Sequence, residues 1–166
     1  PLTTQVSTAE GELLSDAVSR WQVNNWVEQA DGTATHNSRS YAVQLASTEE
    51  AQYLIHSDAG ELTVSGEALT LQSVHNQYDS YGNVTRIEAL TQTGPAAPQA
   101  THATAIEQRV VTTNRYNAAG FTQAEGQRLG RLSATTVATE RISSDGSQQT
   151  AQRSSAFTYY SSGALR

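Results

Sequence analysis

The chain of 166 residues contains no cysteine, no methionine and no lysine. Without cysteine there is neither a disulfide framework nor a thiolate metal site. Without lysine, all ten positive charges are arginine, set against sixteen acidic residues, for a net charge of -6. That balance disfavours a nucleic-acid partner, whose phosphates require a basic patch, and fits a solubilising acidic surface. No apolar run is long enough to span a membrane as a helix, and no signal peptide is evident. Charged residues make up 16% and hydrophobic residues 37%, both low, and Ser, Thr, Gln, Ala and Asn fill the difference. Such a composition suits exposed β-strands. Two tryptophans, seven tyrosines and alternating apolar positions argue against disorder. The missing methionine, the first residue Pro1 and an end at Ala164-Leu165-Arg166, where a further strand would start, lead to the expectation of an internal piece of a longer chain.

What is present is a short pattern in three copies: Tyr78-Asp79-Ser80-Tyr81-Gly82, Tyr116-Asn117-Ala118-Ala119-Gly120 and Tyr159-Tyr160-Ser161-Ser162-Gly163. Each follows a strand-like stretch, and the tyrosines recur at intervals of 38 and 43 residues, the mark of a β-repeat array. The glycines Gly82, Gly120 and Gly163 are expected to supply positive φ. Tyr78, Tyr116 and Tyr159 are expected to stack from strand to strand on one sheet face, a ladder that also offers itself to carbohydrate. Four of the five aspartates, Asp31, Asp58, Asp79 and Asp145, fall in turn signals, where a short side chain bonds to nearby backbone.

Along the chain, Ser7 and Glu10 have capping-box spacing, and Leu13, Leu14, Val18 and Trp21 recur at helical intervals, so a short helix competes with a linker entering a strand at Val18. Strands are then expected on either side of Asp31-Gly32, with the return over about 33–46. Ser47-Thr48-Glu49-Glu50 admits a helical turn, against a strand over 52–56. Further strands follow through Leu62 and Val64, Leu69 to Tyr78, Val84 to Leu90, Ile106 to Tyr116, Leu129 to Ile142 and Gln148 to Tyr159. Gly94-Pro95-Ala96-Ala97-Pro98 breaks regular structure and opens a loop to about residue 104. The fold class is therefore mainly β, an antiparallel sheet of long strands, about eight to ten, with at most one or two short helices. Two regions are distinguished: 1–70, a β segment without a placed motif, and 71–166, the repeat-bearing segment.

Chemistry-bearing constellations are few. His36, His56, His75 and His102 show neither the i, i+4 nor the i, i+2 spacing of a metal site, so no metal and no cofactor is expected. No Gly-x-Ser-x-Gly elbow occurs, and no catalytic residue is assigned. Asn83-Val84-Thr85 fits a glycosylation sequon. Trp21 and Trp26 are candidate binding aromatics, weighed against inter-strand packing.

Tyr78-Asp79-Ser80-Tyr81-Gly82-Asn83-Val84-Thr85 resembles the YD repeat of Rhs-type proteins. Asn114-Arg115-Tyr116, then Leu129-Gly130-Arg131-Leu132, then Arg153-Ser154-Ser155-Ala156-Phe157-Thr158-Tyr159 resemble, in order, a segment of the B components of Tc insecticidal toxins. The resemblance covers roughly Val74 to Arg166. It departs from the family where Asn117 and Tyr160 replace the aspartate, and where Gly126-Gln127-Arg128 replaces a bulky aromatic. It implies long strands joined edge to edge into a hollow shell around another polypeptide. The implied residues are structural, not catalytic: Tyr78, Asp79, Gly82, Asn83, Tyr116, Gly120, Leu129, Gly130, Arg131, Leu132, Phe157, Tyr159 and Gly163. The expected function is thus a shell segment that encapsulates or displays a polypeptide, in a secreted or surface toxin complex. Its partners are other segments of the same parent and the enclosed chain, with self-association through sheet edges. The alternative is a cell-surface or carbohydrate-binding β module.

Overall fold

The computed structural model describes residues 1–7, 9, 13–24, 26–28, 34–36, 42–58, 61–79, 82–94, 105–116, 131–143 and 145–159. These form ten strands: β1 (Leu2–Ser7), β2 (Leu13–Asn24), β3 (Trp26–Glu28), β4 (Ala34–His36), β5 (Ala42–Asp58), β6 (Glu61–Tyr78), β7 (Val84–Thr93), β8 (Ala105–Tyr116), β9 (Leu132–Ile142) and β10 (Gln148–Ala156). Eight of them make one antiparallel sheet in the order β1-β2-β5-β6-β7-β8-β9-β10, and β3 pairs with β4 in a small second sheet. No helix occurs among the described residues.

Two helical expectations are thereby corrected. Of the Ser7–Trp21 stretch, Ser7 ends β1 and residues 13–21 lie in β2, and Ser47–Glu50 lies inside β5. Both segments pair with a neighbour, β2 with β1 and β5, and β5 with β2 and β6. Ladder bonds on both sides of a strand outweigh a local capping signal, whose worth is only about 1 kcal/mol. β6 spans residues 70 and 71 without a break.

Because paired residues in an antiparallel ladder share a face, the register sorts the side chains. One row runs Leu2, Ser19, Thr48, Val74, Ala89, Val110, Thr139, Ala151 across all eight strands. On this first face the described side chains of the regular ladders carry charge only at Glu50, Arg141 and Arg153. The second face carries the row Arg20, Ser47, His75, Glu88, Val111, Ala138, Gln152. It also holds all four described ion pairs.

No second layer covers either face among the described residues. Among the described residues, Ala68, at 9% exposure, is the sole buried apolar side chain, and no large side chain is fully buried. Sheets normally gain their stability by packing one face on another layer about 10 Å away. This slab draws on in-plane interactions instead.

The turns close as the aspartates and glycines suggest. In the β6–β7 turn, Gly82 has φ +87°, and the Asp79 carboxylate accepts from the Asn83 N–H at 2.8 Å and the Asn83 Nδ2 at 2.9 Å. In the β9–β10 turn, Gly146 has φ +80°, and the Ser147 N–H donates to Asp145 Oδ1 at 2.9 Å. These bonds from Ser147 hold the Asp145 carboxyl below its ordinary pKa. Gly94, at the end of β7, is buried where a side chain would strike the Ala68 carbonyl of β6. Gly120, Gly163 and the rest of the 94–104 loop lie outside the described residues.

Valine at position 82 would hold a β-branched residue at positive φ, with its Cβ 3.0 Å from Gln44 Nε2. Strain of this kind costs on the order of 1–3 kcal/mol. Gly82→Val is expected to lower the thermal midpoint by several degrees. An unchanged midpoint in a calorimetric scan counts against the turn.

Candidate functional site: a repeated tyrosine clamp

The recurring tyrosines sit at matching places in the sheet. Tyr78 ends β6, Tyr116 ends β8, and Tyr159 follows β10 in an isolated bridge. The Tyr78 hydroxyl donates to the Leu45 carbonyl of β5 at 2.9 Å, and the Asn76 Nδ2 donates to that same oxygen at 3.0 Å. One unit further on, the Tyr116 hydroxyl and Asn114 Nδ2 both donate to the Val84 carbonyl of β7, each at 3.0 Å. The third copy has the Tyr159 hydroxyl on the Leu132 carbonyl of β9 at 2.8 Å. Phe157 stands where the earlier copies have asparagine, and its backbone N–H donates to the Ser133 carbonyl at 2.9 Å.

The register explains why these carbonyls need donors. The β5–β6 ladder stops at Ser47↔His75, two residues short of Leu45, and the β7–β8 ladder stops at Arg86↔Thr113, two short of Val84. Each carbonyl faces a neighbour strand whose backbone no longer donates to it. A side-chain amide and a phenol take over, satisfying a group that is costly to leave unpaired.

A bulge directly follows each clamped residue. Gln77 pairs with Arg86 but Tyr78 with Val84, so Thr85 is the extra residue. Arg115 pairs with Ala134 but Tyr116 with Leu132, so Ser133 is extra. The Thr85 hydroxyl donates to Gln77 O at 3.2 Å and the Ser133 hydroxyl to Arg115 O at 2.9 Å. The bulge therefore carries its own hydroxyl, which donates to the opposite strand's loose carbonyl. Thr135 Oγ1 donates to Asn114 Oδ1 at 2.8 Å, which orients the amide toward Val84.

The same bulge occurs between β2 and β5. Arg20 pairs with Ser47 but Trp21 with Leu45, leaving Ala46 extra. Trp21 thus occupies the repeat's aromatic position. An alternating belt results across seven strands of the first face: Trp21, Leu45, Tyr78, Val84, Tyr116, Leu132, Tyr159. The tyrosines do not stack on one another, contrary to the expectation from sequence. They stand on alternate strands, about 10 Å apart by two strand spacings, with an aliphatic residue between. Arg131 closes the belt, its guanidinium carbon 5.4 Å from the Tyr159 ring centroid.

Of the other sequence candidates, Asp79, Gly82 and Asn83 form the turn beside Tyr78, and Arg131 and Leu132 hold Tyr159. Leu129, Gly130, Gly120 and Gly163 lie outside the described residues, as does the Trp26 side chain of β3. In the sequon, the Asn83 amide bonds Asp79 and the Thr85 hydroxyl bonds Gln77. Sequence alone assigns no such role to Asn76, Leu45, Ala46 or Ser133, and reads Thr85 only as part of the sequon and the YD-like motif. The available signal was Asn-x-Tyr at both Tyr78 and Tyr116, with an aliphatic–hydroxyl pair, Val84-Thr85 and Leu132-Ser133, opening the next strand.

The second face carries charge. Glu88 accepts from Arg86 at 3.2 Å and from Arg109 Nε at 2.6 Å, and Arg109 lies 4.0 Å from Glu140. Partial burial pulls the Glu88 carboxyl upward, but the two arginines outweigh it and hold it below the ordinary carboxylate value. Arg20 pairs with Glu49 at 2.7 Å. Two hollows open on this face. One of about 560 Å³ includes Arg86, Arg109, Glu140 and Gln152 in its lining. The other, of about 470 Å³, includes Asp16, Tyr53 and His75. There the Tyr53 hydroxyl donates to Asp16 at 3.2 Å, and burial, reinforced by the Asp16 charge, raises the phenol's pKa. No group of three or more His, Cys, Asp or Glu side chains able to hold a metal ion occurs among the described residues. Nor is any helix there long and apolar enough to cross a membrane, which says nothing of a β-barrel.

No protein-family model, no curated protein and no solved structure matches this chain.

Tyr116→Phe and Asn114→Ala should each cost about 1 kcal/mol, since one donor still serves Val84, whereas the double variant leaves the carbonyl bare and should exceed the sum. Strict additivity in urea midpoints contradicts the shared-acceptor clamp. Because the folded Glu88 pKa is depressed, its contribution is full above the ordinary value of 4.5 and fades as pH falls through the folded value. Relative to wild type, Glu88→Gln should lose stability at neutral pH and converge with it in acid.

Proposed function

We propose that this chain is a wall segment of a YD/Rhs-type shell, a structural unit that encloses or displays another polypeptide in a secreted or surface toxin complex. The observation that carries the reading is the repeated clamp in a one-layer sheet. A wall one sheet thick needs long strands held in register without a core, and the tyrosine–carbonyl bond with its bulge supplies register locally at three successive strand pairs. The motifs resembling the family fall on these points: Tyr78, Asp79 and Gly82 at the first clamp, Asn114 and Tyr116 at the second, Arg131, Leu132 and Tyr159 at the third.

The edges support the same reading. β1 and β10 are exposed along their whole lengths. Open edges recruit further strands, and proteins that keep them free guard them with lysine, proline or inward charge. The described β1 has none of these, and β10 has one charge, Arg153. In a wall both edges pair with neighbouring segments of the parent.

Electron cryomicroscopy of the polypeptide expressed from its complete gene tests the proposal. The expected result is a hollow particle whose wall continues β1 and β10 into further antiparallel strands around internal density. A solid or open particle with both edges in solvent, together with selective binding on a glycan array that Trp21→Ala abolishes, would replace the shell by the carbohydrate-binding module.

A further inference from the structure

Among the described residues, five large hydrophobic side chains stand exposed: Leu2 at 61%, Val6 at 52%, Trp21 at 54%, Val23 at 61% and Val43 at 65%. The register puts all five on the first face. Leu2 pairs with Ser19 and Val6 with Ser15, two-residue steps along β2 from Trp21 and Val23. Val23 pairs directly with Val43, and Trp21 with Leu45. They gather on β1, β2 and the start of β5, where the aromatic belt reaches its tryptophan end. The rest of the belt, from Leu45 to Tyr159, is half-buried. Exposed apolar side chains gathered on one face in this way mark an interaction surface.

We infer that a second copy of this chain covers the patch, the two first faces packing together as the layers of a β-sandwich. Charge favours a copy. The chain carries a net charge of -6, whereas the described ladders of the first face hold one acidic side chain, Glu50 opposite Ala17, against Arg141 and Arg153, and the patch itself is uncharged. The second face, with Asp16, Arg20, Glu49, Glu88 and Glu140, offers no comparable surface. Size agrees as well. Eight strands spaced about 4.8 Å apart and about 30 Å long present roughly 1,000 Å². A stable interface needs about 800 Å² from each partner. A two-fold contact uses the same patch twice, which an uncharged surface tolerates. The inference concerns this chain on its own; in the one-layer wall the same face is instead turned to the enclosed or displayed polypeptide.

Sedimentation velocity on the purified chain over a dilution series tests it, with Trp21 emission followed in a Trp26→Phe background. The expected result is a dimer that dissociates on dilution while Trp21 emission shifts to the red. Val43→Glu should weaken the dimer at least about tenfold, and Ser154→Glu on the second face should leave it intact. Should Val43→Glu fail to fold by circular dichroism, the near-isosteric Val43→Thr is the reporter, and a weaker dimer is again expected. A monomer with red-shifted emission at every concentration overturns the inference. So does a dimer indifferent to position 43 but lost with Thr4→Pro on β1 or Gln152→Pro on β10, which identifies edge pairing instead.

Discussion

Everything in this sheet hangs on a bond from a tyrosine hydroxyl to a main-chain carbonyl one strand away. The acceptor lies just past the point where the ladder stops, so the phenol extends the sheet's hydrogen bonding by side chain. The ring that carries the hydroxyl lies across the sheet between two aliphatic neighbours. One residue therefore ends a strand, satisfies a backbone group and fills the belt. Its asparagine, two positions earlier, reinforces the same oxygen in the first two copies.

The bond matters more here than it would in a sandwich or barrel. A layered protein tolerates a loose strand end because its core holds the strand from one side. This slab has no such core among its described residues, and its ion pairs, largely exposed, contribute little each. A register slip of one residue would move every side chain of a strand to the other face. The bulge and the clamp oppose that slip together, since Tyr116 can reach the Val84 carbonyl in one register alone. Trp21 shows the limit of the scheme: it has the bulge and the aliphatic partner but no hydroxyl, and its ring is half exposed.

The turn chemistry was legible in the sequence because it is local. Asp79, Gly82 and Asn83 act on one another within five residues, and their types alone specify the bonds. The strand composition and the aromatic spacing likewise pointed to an antiparallel β array. The clamp was less legible because its acceptor is a carbonyl, and every residue has one. That Leu45 should receive the Tyr78 hydroxyl depends on where two ladders end, and the register is a property of the whole sheet. The helix signals at Ser7–Glu10 and Ser47–Glu50 misled for the matching reason: they report what a segment does alone, and β2, which follows the first, and β5, which contains the second, have partners on both sides. The stacking expected of the tyrosines failed on strand count, since the motif marks every second strand.

The connections between paired repeat positions differ in length. From Tyr78 to its partner Val84 is six residues, and from Tyr116 to its partner Leu132 is sixteen. The paired geometry at the two positions is nonetheless the same. Closing the longer connection costs roughly 1 kcal/mol more in chain entropy. Because register is locked at the strand ends, the connections are released from setting it. Such a sheet can accumulate insertions at one rim while its wall stays unchanged, so its lineage is free to diversify in loop length and sequence long before it diversifies in fold.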